Sequence, residues 1–431
     1  MIVLLIYTAF LFGIGIWQFK KSSLNSYVIS NKNASYLLVG GSIIASCVGG
    51  SATIGMVGLS LEVGFPAVWW LLSGASGLII LTIFLAKKVS QSGALTMPQM
   101  LEYYIGKKAR VLSAIIITIA WASILAAQIS AGGRIISTMA GVSFEISIFI
   151  SAFMIVGYTV LGGQASVLRS DLIQTFVIYS AFILVFLWLI FSKGASFEGI
   201  KFELINESFN LDRLSYFMII LGGSYVVCPM LFGRILSAKD ESHAKAGAIF
   251  GVAGIVIGAV LIVIIALISK PFLNSEILPD TALTTGIYSI LPPFLGLFLL
   301  VALLSAIISS ADSCLITASS VFCNDILKSS SLKTFRIFTL IFGFIGVVLT
   351  FWGKSILGFL LMANDIYVSG VVAPVFVAMI LNGKVIEKFG ITAMIVGGIF
   401  GVIGALSGVK IFSISGVFIG AAITLFGAYK R

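Results

Sequence analysis

The chain has 431 residues, 59% of them hydrophobic and only 10% charged, with a formal net charge of +10 at pH 7. A mean hydropathy of +1.17 excludes a water-soluble domain of ordinary make-up, and the chain reads as an all-α polytopic membrane protein. The surplus of Lys and Arg is the remaining question, because a basic balance otherwise suggests nucleic acid.

Apolar stretches of the ~20 residues that a bilayer demands predict about 13 transmembrane helices. They lie near 1–18, 36–60, 65–86, 110–132, 142–162, 170–192, 214–234, 245–269, 292–320, 333–352, 355–382, 390–408 and 411–428. The first has no basic leader or small-residue cleavage site and is followed by Lys20 and Lys21, so a retained helix is expected rather than a signal peptide.

The second span carries Gly40, Gly41, Gly49 and Gly50, with Ser46, Cys47, Ser51 and Thr53 around its centre. The seventh carries Gly222, Gly223, Ser224, Tyr225, Cys228 and Pro229. Both are expected to break mid-membrane, which frees carbonyls and N–H groups that only a cavity can accept. Gly55 and Gly58 are expected merely to permit close packing. The two broken spans lie five apart and so are candidates for equivalent positions in two five-helix halves, 36–192 and 214–382, preceded by 1–35 and followed by helices over 390–428. Paired discontinuous helices of this kind point to a transporter built from inverted repeats.

The ninth span holds Ser305, Ser309, Ser310, Asp312 and Ser313. At i, i+4, i+7 and i+8, Ser305, Ser309, Asp312 and Ser313 share one helical stripe. A carboxylate at such depth costs about 2.5–3.5 kcal/mol on insertion scales and marks a functional position. Oxygens on a stripe suggest a hard monovalent cation. Asp171 in the sixth span and Asp365 in the eleventh are further intramembrane acids, the latter with Lys354 as one candidate partner.

With an outside N-terminus, 19 of the 26 Lys and Arg residues fall in the cytoplasmic loops. The positive-inside rule therefore favours that orientation and a cytoplasmic C-terminus. The basic charge is topology, and no nucleic-acid partner is expected. The four cysteines show no CxxC or zinc spacing. The single histidine, His243, sits in a charged loop and is expected to be solvated. With no membrane histidine to build a catalytic constellation, an enzyme is not expected.

Ser309-Ser310-Ala311-Asp312-Ser313, with Ala318-Ser319-Ser320-Val321-Phe322 and Asn324-Asp325-Ile326 behind it, resembles the signature helix of the sodium/solute symporter family. Asn25 to Ile29, Gly162-Gly163 through Ser170 to Gln174, and Arg234 to Asp240 agree. The resemblance covers nearly the whole chain and implies a LeuT-type 5+5 inverted repeat with one extra N-terminal and two extra C-terminal helices. It implies a Na⁺ site made by the carbonyls of Ala45, Val48 and Ala306 and the hydroxyls of Ser309 and Ser310. A second cation site, held by some members, would match Asp171, Ser309, Asp312 and Ser313. Asp312 stands where several members carry a hydroxyl or another neutral group, so a second Na⁺, a proton, or a structural pair with Arg169 or Arg234 all remain open there.

For the solute, the resemblance places Cys47, Gly49, Gly50 and Ser51 at the break, with Gln128, Ser224, Tyr225, Asn364 and the pair Trp69-Trp70 nearby in the fold. Sugar-carrying members have amide and carboxylate side chains at the break, which this chain lacks. The half-helix N-terminus beyond Gly49 would offer N–H groups and a positive dipole end to a carboxylate. The expected function is Na⁺-coupled symport of a small carboxylate-bearing solute, an amino acid or organic acid, by a monomer in the plasma membrane, the inner membrane of a bacterium. Proton coupling on the same fold and a transporter-like sensor are the alternatives.

Overall fold

The structure is a computed structural model that describes residues 2–274, 278–351, 356–382 and 385–429, with only the backbone described at Ser51, Asp280 and residues 356, 357 and 359. Lys354 lies outside the described residues, as does the side chain of Ser51. Helices account for nearly all of the described chain. Eleven of them are long and apolar enough to cross a membrane, or twelve spans when the bent pair Tyr36–Cys47 and Ala52–Val63 is counted as one. The expected count of 13 is not confirmed: Phe144–Phe191, which the sequence reading divides into 142–162 and 170–192, is a 48-residue stretch in which two helices join across a kink at Gly163. At 1.5 Å per residue it extends to about 72 Å, far beyond the ~30 Å of hydrocarbon. The two helices join at Gly163, whose φ of 61° lies in the left-handed region. A Cβ there would come within 2.5 Å of the Tyr27 ring, so the close approach also requires glycine.

The distribution of side chains is that of a protein in lipid. Phe176, Phe191, Phe294 and Phe344 are 69–81% exposed, whereas Arg234, Asp171, Gln174, Asp312 and many serines are buried. In water the exposed phenyl rings would form an aggregation surface; against acyl chains they cost nothing. The helix Pro293–Val321 runs through the middle, packed on Lys107–Ala140 and Phe144–Phe191. The last two helices, Glu387–Ser407 and Lys410–Tyr429, pack chiefly on each other and on the segment Val368–Val372.

Both expected breaks are present. Tyr36–Cys47 begins at Ser35, whose hydroxyl accepts from the Leu38 N–H at 3.4 Å. It ends at Val48, and the chain resumes as a helix bent by 59°. Across the molecule, Leu211–Ser237 is interrupted at Val227 and Cys228, where φ/ψ become −127/44° and −75/118°. Pro229 explains the position: it lacks an N–H and pushes the residue before it out of the α region.

Candidate cation sites and solute cavity

At the first break the carbonyls of the ended helix point to the serines of Pro293–Val321. The Ser309 hydroxyl lies 2.8 Å from the Ala45 carbonyl oxygen and 2.9 Å from that of Ala306. Ser310 donates to the Ser46 carbonyl at 2.8 Å. Membrane serines commonly bond their own helix, as Ser305 does with Val301 at 2.8 Å. Ser310 instead reaches across to a different helix, where Gly49 leaves room for it, and Ser309 does so while also bonding Ala306 in its own. A Cβ on Gly49 would stand 2.1 Å from Ser310 Oγ. Ala45, Ala306 and Ser309 therefore form one cluster of neutral oxygens, all fully buried, with Ser310 beside it. The Val48 carbonyl is not among the hydrogen-bond partners of either serine; the Val48 N–H closes the helix on Ile44 at 2.9 Å.

One turn further along the same helix lies a charged cluster. Ser313 bonds the Ser309 carbonyl at 2.7 Å and approaches Asp312 Oδ1 at 3.1 Å. Arg234, 1% exposed, reaches in from the half-helix Pro229–Ser237. Its Nε donates to Ser42 Oγ at 3.1 Å, its Nη1 to the Met230 carbonyl at 3.0 Å and its Nη2 to Ser46 Oγ at 2.6 Å and to Ser313 Oγ. Asp171 Oδ2 accepts from Ser42 and lies 3.6 Å from Arg234 Nη2. Of the two arginines weighed as its partner, Arg234 is therefore the one paired; Arg169 donates to Gln18 at 3.0 Å and stacks on Trp17. Asp171 Oδ1 and Asp312 Oδ2 have no hydrogen-bond partner among the described residues. Two carboxyl groups here face one guanidinium, an imbalance that either a further cation or a proton on one carboxyl would neutralise.

Beside these clusters is a cavity of about 80 Å³ lined by Cys47, Gly49, Trp70, Gln128, Ser224, Tyr225 and Asn364 as expected, and also by Ser46, Trp121, Cys228, Met230, Ser310 and Cys314. Among the described residues no Asp, Glu, Lys, Arg or His lines it. Ser310 belongs both to this wall and to the neutral oxygen cluster. The Gly50 N–H is covered: it donates to Gln128 Oε1 at 3.1 Å, so an amide carbonyl stands where a carboxylate was expected. Trp69 faces elsewhere, its Nε1 donating to Leu204 at 2.9 Å.

Spacing within single helices could have found most of the additional residues. Trp121 is seven before Gln128, Cys314 four after Ser310, and Ser42 four before Ser46, each on the same helical face. Met230 carries no such signal. Asp365 accepts from the Tyr216 hydroxyl at 3.0 Å. All four cysteines are free and buried. His243 is not simply solvated, since its Nδ1 lies 2.9 Å from Asp240. The His243 backbone N–H and ring hold that carboxyl below the usual carboxylate range.

Residues 27–401 match the sodium:solute symporter family. Similar proteins include a sodium/glucose cotransporter of Vibrio parahaemolyticus, 26% identical over 373 residues, 76% of this chain and 68% of that protein. A sodium/pantothenate symporter of Haemophilus influenzae is 24% identical over 357 residues, 76% of this chain and 72% of that one. Among solved structures, the substrate-bound outward-open state of a Na⁺-coupled sialic acid symporter superposes with a TM-score of 0.80 at 14% identity, covering 100% of this chain and 97% of that one. The shared architecture is the LeuT-type fold.

Proposed function

The chain belongs to the sodium:solute symporter family, and from that premise we propose that it is a secondary active transporter coupling Na⁺ entry to symport of a small carboxylate-bearing solute. The observation that carries this reading is the contact across the first break, Ser309 to the Ala45 carbonyl at 2.8 Å and Ser310 to the Ser46 carbonyl at 2.8 Å. A cation there would take the carbonyls of Ala45, Val48 and Ala306 and the hydroxyls of Ser309 and Ser310 as ligands, the serine protons turning outward. Unwound carbonyls and hydroxyls are the donor set for Na⁺ in folds of this kind. Such an ion would tie the broken helix to Pro293–Val321 and favour one orientation of the transport path. Coupling requires that the ion bind one state better than the other.

The solute would occupy the cavity next to Ser310, its carboxylate replacing Gln128 Oε1 at the Gly50 N–H. The absence of acidic side chains among the described lining residues and the positive end of the half-helix support an anionic group there. Cys47, Gly49, Ser224, Tyr225 and Asn364 would hold the remainder, with the backbone of Ser51 close to the same half-helix end. We read 36–192 and 214–382 as the two repeats, the membrane as the plasma membrane, the N-terminus as external, and the monomer as the working unit.

Proton coupling is the second reading, favoured by one observation: the unpartnered oxygens of Asp171 and Asp312 in the lower cluster. Uptake of a labelled panel of amino and organic acids into proteoliposomes, under separate Na⁺ and H⁺ gradients, tests both. Ser309→Ala and Ser310→Ala should each raise the Na⁺ needed for half-maximal uptake by about tenfold, the loss of roughly one charge-assisted contact. Sodium-independent uptake that neither substitution changes would sink the Na⁺ reading.

A further inference from the structure

Two cavities lie end to end along the second broken span. The first is the solute cavity of about 80 Å³. The other, about 30 Å³, is lined by Thr96, Gln164, Arg234, Thr317, Ser320 and mostly apolar neighbours; of these Val28 follows Lys20 and Lys21, and Leu95 follows Lys87 and Lys88, by seven or eight residues, which marks its lysine-rich side. Met230 lines both, and no other residue does.

Met230 sits at the break itself, one residue after the proline that starts Pro229–Ser237. An unbranched thioether with three rotatable bonds can change rotamer without moving the backbone, so this partition is the thinnest and most adaptable part of the path. The pocket behind it is equipped for a ligand. Gln164 is 2% exposed and Ser320 4%, yet Gln164 Nε2 and Ser320 Oγ have no hydrogen-bond partner among the described residues. Native folds rarely leave such groups unpaired when buried, and each exception calls for an explanation. The pocket's free polar groups are an amide N–H and a hydroxyl, the Arg234 nitrogens being engaged with Ser42, Met230, Ser46 and Ser313, and among the described residues no carboxylate lines the wall. At about 30 Å³ it is less than half the size of the first cavity, so it accepts a solute group only as Met230 rotates away.

We propose that Met230 is the gate between the solute cavity and the lysine-rich side, and that the pocket of Gln164 and Ser320 is a release station whose free N–H and hydroxyl receive the hydrogen-bond-accepting end of the departing solute. The proposal rests on the reading that an anionic solute occupies the central cavity. It adds the residue that holds the solute in and the groups that draw it out.

Thiol labelling tests this without knowledge of the solute, because Cys228 and Cys314 line the central cavity. Full-length protein in membrane vesicles of both orientations is treated with an anionic reagent, 2-sulfonatoethyl methanethiosulfonate, or its cationic trimethylammonium counterpart, and each cysteine is followed by mass spectrometry. In Met230→Ala, the anionic reagent on the lysine-rich side should modify Cys228 or Cys314 about tenfold faster than in the unaltered protein, as expected when a closed partition becomes an open one. From the opposite side the rate should not change, and Met230→Leu, which keeps the volume, should stay slow. Adding Gln164→Leu and Ser320→Ala to Met230→Ala should remove the advantage of the anionic reagent while sparing the cationic one.

Acceleration from both sides alike, or from neither, overturns the gate. An anionic rate indifferent to Gln164 and Ser320 overturns the release station. One-sided acceleration in a protein that shows no Na⁺-driven uptake of acids sustains the gate and sinks the transport reading, so the two can fail separately.

Discussion

Two polar clusters lie a single turn apart on Pro293–Val321, and they are built on opposite principles. The upper one, Ala45, Ala306, Ser309 and Ser310, contains no formal charge, and its two serine hydroxyls both donate to carbonyls. The lower one holds Asp171, Asp312 and Arg234, sets two carboxyl groups against one guanidinium, and leaves one oxygen of each carboxyl without a partner among the described residues. A neutral oxygen cluster is at rest without a cation and can release one readily. A charged cluster in a dry interior is stable only while its charges are balanced. The difference teaches that depth in the membrane does not decide which residues bind an ion; the local balance of donors, acceptors and charge does.

The strongest way to break this comparison is to remove the balancing charge. Arg234→Met leaves Asp171 and Asp312 buried without a counter-ion and should cost about 3–5 kcal/mol, read as a lowered thermal midpoint in detergent. Arg234→Met with Asp171→Leu should recover most of it. An unshifted midpoint in the single variant would mean that the lower cluster is not dry. Next in size is Gly49→Ala, which drives a methyl group to within 2.1 Å of Ser310 Oγ. Overpacking of that kind costs about 1–3 kcal/mol and should weaken Na⁺ dependence. Gly13→Ala, with nothing within 4 Å of the added carbon, is the control.

Asp312→Asn sharpens the comparison by leaving one carboxyl against one guanidinium in the lower cluster. Stability should change by less than about 1 kcal/mol, because one unmatched carboxyl is lost as one contact is weakened. The charge carried per solute, measured by reversal potential in proteoliposomes, should fall by one if that cluster takes a cation. An unaltered ratio would assign all the coupling to the upper cluster. The smallest effect belongs to Ser305→Ala. Ser305 shares the stripe of Ser309 but bonds only Val301 in its own helix, so stability should move by no more than about 0.5 kcal/mol and Na⁺ dependence not at all.

Much of the site was legible because its signals are local. Glycine pairs and Pro229 announce broken helices, and Ser309 and Ser310 are conspicuous in an apolar run. Partnerships between helices were not legible. The sequence left Asp171 with two candidate arginines, and only the fold brings Arg234 to it. The sequence left the Gly50 N–H bare, and only the packing of Lys107–Ala140 against the break lets Gln128 cover it. The kink at Gly163 that parts Phe144–Phe191 into two helices falls between the expected spans 142–162 and 170–192, because a glycine free to take positive φ breaks a helix through its own backbone.

The sequence by itself determined the membrane class, the two breaks and the serines of the upper cluster, since hydropathy, glycine and proline act through the chain's own backbone and surroundings. Only the tertiary structure decided which arginine balances which aspartate, which residues wall the solute cavity, and that Met230 separates it from a second pocket. Those are contacts between residues up to hundreds of positions apart, formed because buried polar groups must find partners wherever the packed helices bring them.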